Sequence, residues 1–137
     1  MLLEEICTMG KLDLSYHSTL EKIISRIEKD GCSVMTRYDI KSSSYEPYAD
    51  REPIARVSLK EVEDPLYIIW RLLHEYGHYL SGKRKPEDRT MDREELAWKY
   101  ADELVRQYPD LHLRIDNFEK CKGQDLESYR RALGIVK

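Results

Sequence analysis

Five consecutive residues constrain this chain more than any others: His74-Glu75-Tyr76-Gly77-His78, the pattern H-E-x-x-H. On a helix, residues four apart stack on one face, so the two histidines can offer imidazole nitrogens to a single metal ion. Glu75 then lies beside the ion without needing to bind it, placed to accept a proton from a water that the ion makes acidic. This reading sets two conditions. The stretch must be helical, and a third ligand must come from elsewhere in the fold.

Local sequence meets the first condition. Asp64-Pro65 is a helix opening, with aspartate as N-cap and proline at the first helical position, and Gly82 then Pro86 mark the end. Between them Leu66, Ile69, Trp70, Leu73, Gly77 and Leu80 recur on one face, while Ile68, Leu72 and Tyr79 form a second. A helix apolar on two sides is buried between other elements. The spacing therefore predicts a central helix with the motif well inside it.

The third ligand takes more argument. Catalytic zinc typically takes three protein ligands and keeps one position for water. Cys7, Cys32 and Cys121 are scattered and none adjoins the motif, which argues against a cysteine site and fits a reducing cytoplasm. His17 and His112 lie in stretches with weak structural signals. The next predicted helix opens at Asp92, with Glu95 as the N3 partner of a capping box, and runs to about Tyr108. Its two adjacent glutamates separate by periodicity. Glu94 shares an apolar face with Ala97, Trp98, Ala101, Leu104 and Val105, whereas Glu95 falls with Lys99, Asp102 and Arg106. A carboxylate centred on an apolar stripe is costly unless compensated, and an ion would compensate it. Glu94 is the expected third ligand, with Glu95 as the fallback, and small Ala97 and Ala101 let the two helices approach.

The rest of the chain supplies a scaffold. Ser18-Thr19-Leu20-Glu21 reads as a capping box opening a helix over roughly 18–30, with Leu20, Ile23, Ile24 and Ile27 on its buried stripe and Gly31 as its stop. Residues 32–40 and 54–60 alternate as half-buried strands, and the turn-rich segment 41–50 reads as a loop. Together they predict a small, mostly antiparallel sheet, with 54–60 as an edge strand able to hold extended substrate by strand addition. The charged stretch 83–89 reads as a solvated loop. Residues 124–133 form a last short helix with Leu126, Tyr129 and Leu133 on one side.

At 137 residues the chain is expected to be a single α+β domain, its core over about 15–109 and a C-terminal extension over 110–137. A net charge of −3 gives no pull towards nucleic acid or anionic membrane. No apolar run spans a bilayer, and Glu4-Glu5 interrupt the N-terminus too early for a signal peptide. A cytoplasmic, soluble protein is expected.

The motif together with Glu94-Glu95-Leu96-Ala97-Trp98-Lys99-Tyr100-Ala101-Asp102-Glu103-Leu104-Val105 resembles the ImmA/IrrE family of small zinc metallopeptidases. The family's second motif is E-x-x-A-x-x-F-A followed by an E-L-L run. Here Tyr100 replaces the phenylalanine, Val105 ends the run, and Arg106-Gln107-Tyr108 precede Pro109 where the family often has methionine-proline. The resemblance covers about 65–109 and is architectural before that. It implies one zinc ion held by His74, His78 and Glu94, with Glu75 as general base. It also implies a zincin-like fold of gluzincin type, in which the order is helix, small sheet, motif helix and ligand-bearing helix. Members typically cleave a DNA-binding repressor, often one encoded beside them on a prophage or mobile element, so the implied partner is such a protein and not nucleic acid itself. The rival expectation is a regulator-binding module of the same fold whose metal is structural or absent. For the oxyanion of a hydrolytic reaction, the residues leave Tyr38, Tyr45, Tyr48, Tyr76 and His112 all open.

Overall fold

The computed structural model describes residues 2–9, 11–37, 43–47, 51–60, 64–83 and 85–134. The elements are α1 (Leu2–Met9), a 3-10 turn (Leu14–Tyr16), α2 (His17–Lys29), β1 (Ser33–Arg37), β2 (Ser44–Glu46), β3 (Ile54–Ser58), α3 (Leu66–Leu80), α4 (Thr90–Val105), α5 (Pro109–His112) and α6 (Ile115–Ala132). This is the expected α+β class. The end of the first expected strand, from Tyr38 to Ile40, lies outside the described residues, as do the oxyanion candidates Tyr38 and Tyr48.

The sheet differs from expectation in two ways. Its order is β1-β3-β2, with β1 parallel and β2 antiparallel to β3, so it is mixed and not mostly antiparallel. The segment 41–50, expected to be a loop, contributes β2. The physical reason lies in β3. Ile54, Ala55, Val57 and Ser58 are all buried, so this strand has neither a solvent face nor a free edge. A strand buried on both faces belongs at the centre of a sheet. The long connection after β1 lets the chain place β2 first and return between the two. The expected edge strand is thus the central one, and strand addition to β3 is excluded because both its edges are paired.

Helix α3 is the axis of the core. From Leu66 to Gly77 every residue but Arg71 is buried, as its two apolar faces require. Asp64 accepts the Leu66 amide at 2.9 Å, the bond expected of a cap, although the helix opens one residue later than expected, with Pro65 at the cap position. The other two expected caps are corrected. Helix α2 grows directly out of the 3-10 turn, itself capped by Asp13 on the Ser15 amide, and Thr19 is drawn off to Asp110. Helix α4 begins three residues early, at Thr90 with Arg89 at the cap position in place of Asp92. Asp92 therefore sits inside the first turn, where its charge still complements the helix dipole, and Glu95 is exposed. The last helix starts at Ile115, nine residues before the expected Gln124. It buries Phe118, Cys121 and Leu126 in the same core as α3 and α4, with Phe118 edge-on to both Trp70 and Trp98. No helix among the described residues is long and apolar enough to cross a membrane.

Candidate metal centre

Helices α3 and α4 meet along the motif because small residues allow it. A Cβ built on Gly77 would come within 2.2 Å of the Ala97 carbonyl oxygen, so the backbones approach as closely as they do only because Gly77 has no side chain. A second tie comes from Arg93, whose guanidinium donates to the carbonyls of Ser81 (3.4 Å) and Gly82 (2.8 Å) at the end of α3. Since Arg93 is the neighbour of Glu94, this contact helps to set where Glu94 lies against α3.

That approach brings three predicted residues together. The Glu94 carboxylate bridges the histidines, with Oε1 2.9 Å from His74 Nε2 and Oε2 2.9 Å from His78 Nε2. Glu75 lies on the other side of the His74 ring, its Oε2 3.1 Å from Nδ1. His74, Glu75 and Glu94 are each at most 5% exposed. The fallback, Glu95, points to solvent. His17 is occupied with the Leu12 carbonyl, and His112 is exposed beside Arg106.

Aromatic rings set the histidine planes. Trp98 stacks on His74 at 4.4 Å between centroids, and Tyr45 from β2 stacks on His78 at 6.3 Å. The Trp98 indole nitrogen is buried without a hydrogen-bond partner among the described residues. Such a group costs about 1–3 kcal/mol, so the ring is placed by packing against His74 and Phe118 and not by its polar atom.

The electrostatics follow from burial and contact. Burial alone would lower the pKa of His74. The Glu75 carboxylate first, and Glu94 second, outweigh it and raise the value to about 9. Burial alone would raise Glu94, but hydrogen bonds from His74 and His78 bring it down to about 2. The two directions agree: in this arrangement a carboxylate shares protons with the imidazoles at the point where their donor atoms converge.

The donor atoms of His74, Glu75 and His78 lie within 4.8 Å of one another, a group able to hold a metal ion. Glu94 is not in that group, but each of its two oxygens lies beside one histidine Nε2. Zinc at its usual distances from imidazole nitrogen and carboxylate oxygen needs N···O separations of about 3.4 Å at a tetrahedral angle. Either 2.9 Å contact, taken singly, would open by about half an ångström to reach that separation. A carboxylate on the second ring nitrogen, as Glu75 is on His74, is the usual way of fixing a ligating tautomer.

A cavity of about 280 Å³ adjoins the site, lined by His74, Glu75 and Arg71 of α3, by Asp125, Ser128 and Tyr129 of α6, and by Ser43. A larger open hollow of about 770 Å³ lies between α2 and α3 and touches none of the site residues. Of the expected oxyanion candidates, Tyr76 donates to Asp30 beside that hollow and is turned away from the metal centre. Tyr129 was not among those candidates. Its spacing with Leu126 and Leu133 marked it as part of an apolar stripe, and nothing local in the sequence indicates that α6 folds back over the motif. No family model matches the chain, nor does any curated protein or solved structure.

Proposed function

We propose that this chain is a zinc-dependent endopeptidase of the ImmA/IrrE kind, acting on a regulatory protein. The observation that carries the reading is the Glu94 carboxylate bridging Nε2 of both motif histidines, with Glu75 buried beside them at a cavity wall. Two histidines and one glutamate form a known catalytic zinc donor set. In this reading His74, His78 and Glu94 hold the ion, which when bound supplies Lewis acidity towards a carbonyl and a water acidified to near neutral pH.

The remaining work belongs to the chain. Glu75 accepts the proton of the attacking water and returns it to the leaving amine nitrogen. Trp98 and Tyr45 hold the two imidazole planes and keep bulk water off them. Strand β2 is an edge of the sheet, and its Tyr45 stands against His78. It replaces β3 as the rail on which an extended substrate would lie. The substrate class in this reading is a DNA-binding repressor encoded beside the protein, and it rests on the family resemblance.

A regulator-binding module with a structural ion has one observation in its favour: Glu75 is engaged with His74 Nδ1, the position of a purely orienting carboxylate. Glu75→Gln separates the two. A general base gives a variant that keeps its zinc and loses cleavage of the neighbouring repressor. An orienting carboxylate gives a variant whose zinc affinity falls about 10–100-fold. Full cleavage activity in Glu75→Gln would sink the peptidase reading, and purified protein without stoichiometric metal would sink the site.

A further inference from the structure

The tyrosines near the site are sorted by what each one touches and which hollow it lines. Tyr76 is bonded to Asp30, with Arg26 nearby. Tyr45 has Cys32, Tyr79 and Arg93 around its hydroxyl, so only its ring serves the site. Tyr129 alone among these three lines the cavity that His74 and Glu75 also line, and its hydroxyl is within hydrogen-bonding reach of the Glu94 carboxylate. It is 38% exposed, at the mouth and not in the core.

Its position has a structural cause. Arg71 of α3 and Asp125 of α6 form a two-point ion pair, Nε to Oδ2 at 3.2 Å and Nη2 to Oδ1 at 3.1 Å. Glu75 lies four residues beyond Arg71, and Tyr129 lies four residues beyond Asp125. Each is one helical turn along the same face. The ion pair therefore sets the register of α6 on α3, and one turn further on Tyr129 and Glu75 line the same cavity.

We propose that Tyr129 is a catalytic residue whose hydroxyl donates a hydrogen bond to the oxyanion of peptide hydrolysis, and that Arg71–Asp125 is its positioning pair. The inference rests on the hydrolytic reading above. As water adds to the scissile carbonyl, its oxygen forms the new bond to carbon, its proton passes to Glu75, and the carbonyl π pair moves onto oxygen. Tyr129 donates to that oxygen and keeps its own proton. The pair then returns to re-form the carbonyl, the C–N bond breaks, and Glu75 delivers its proton to the departing nitrogen. A donor aimed at developing charge is the general means of lowering such a barrier. The assignment gives α6 a function beyond packing: it forms one wall of the cavity beside His74 and Glu75.

The test uses full-length zinc-loaded protein and acetohydroxamic acid, a small zinc-binding probe whose oxygen takes the place of the oxyanion. Its affinity is read by calorimetry and needs no substrate. Tyr129→Phe, nearly isosteric, is expected to keep one zinc per chain and the wild-type unfolding midpoint, and to weaken the hydroxamate about tenfold, the worth of one hydrogen bond to a charged acceptor. Asp125→Asn is expected to weaken it in the same direction while its zinc content is unchanged. Unaltered hydroxamate affinity in zinc-loaded Tyr129→Phe overturns the assignment and leaves the metal site standing. Wild-type protein that takes up no zinc overturns the metal reading, and the Tyr129 assignment with it.

Discussion

Gly77→Ala is the sharpest single perturbation of this architecture. The added methyl would sit 2.2 Å from the Ala97 carbonyl oxygen and 2.9 Å from its carbonyl carbon, where ordinary contact begins at 3.4 Å. The obstacle is backbone, so no rotamer change relieves it, and α3 and α4 must part locally by about 1.2 Å, the difference between 3.4 and 2.2 Å. Alanine gains about 1 kcal/mol of helix propensity over glycine. Overpacking costs about 1–3 kcal/mol, and a rigid obstacle puts this site at the upper end. The net expectation is destabilisation by about 1–2 kcal/mol, a fall of roughly 3–8 °C in Tm for a domain of this size. The larger effect is on the metal. Parting the helices stretches both His–Glu94 contacts from 2.9 Å to roughly 4 Å, and zinc affinity should drop at least about a hundredfold, beyond the usual effect of disturbing an outer-shell partner. Competition with a chromophoric chelator measures the affinity, and thermal unfolding confirms that the variant is folded. Ala97→Gly should not rescue it, because the clash is with the carbonyl and not the methyl of residue 97. A folded Gly77→Ala protein with wild-type zinc affinity would refute the argument that this close approach builds the site.

Glu94→Gln should abolish stoichiometric zinc while Glu95→Gln leaves it intact, as read by elemental analysis; equal effects would restore the fallback ligand. Zinc affinity should rise about tenfold per pH unit from 6 to 8, because binding displaces a proton from His74, whose pKa in the metal-free protein is about 9; a flat profile would count against that proton. Stability of the metal-free protein has a matching window. The His74 contribution is fully present below its unfolded value near 6.5 and lost as pH rises through about 9, and the Glu94 contribution is present above about 4.5 and lost as pH falls through about 2. The site thus adds most between about pH 4.5 and 6.5, where chemical denaturation should find a higher midpoint than at pH 9.5. Cu²⁺ at the site should quench the stacked Trp98, so quenching should persist in Trp70→Phe and largely vanish in Trp98→Phe.

Much of the site could be read without coordinates, because its chemistry is tied to local periodicity. A four-residue spacing puts His74 and His78 on one face of any helix, and the 3.6-residue repeat separates Glu94 from Glu95 whatever the partner. The same logic gave the two buried faces of α3 and the Asp64 bond at its start. Strand pairing was not legible in this way. Alternation shows that 54–58 is a strand, but only burial of both its faces against the rest of the molecule makes it central, with β1 and β2 on either side. Capping failed at α2 and α4 for a related reason: the 3-10 turn and Thr90 extended those helices past the residues whose side chains match the cap pattern.

The sequence by itself determined that His74 and His78 share one face of α3 and that Glu94, not Glu95, lies on the buried face of α4, since which residues share a helix face is a property of the backbone repeat. Tertiary structure alone decided three further things. Helices α3 and α4 are separated by no more than Gly77 allows, because the limit is set by a carbonyl twenty residues away. Glu75 rests on His74 Nδ1, because the ring plane is imposed by Trp98 from another helix. Tyr129 reaches the cavity because Arg71 and Asp125, 54 residues apart, fix how α6 lies on α3. Each is a contact between elements distant in the chain, and periodicity within one element carries no information about which turn of another it will meet.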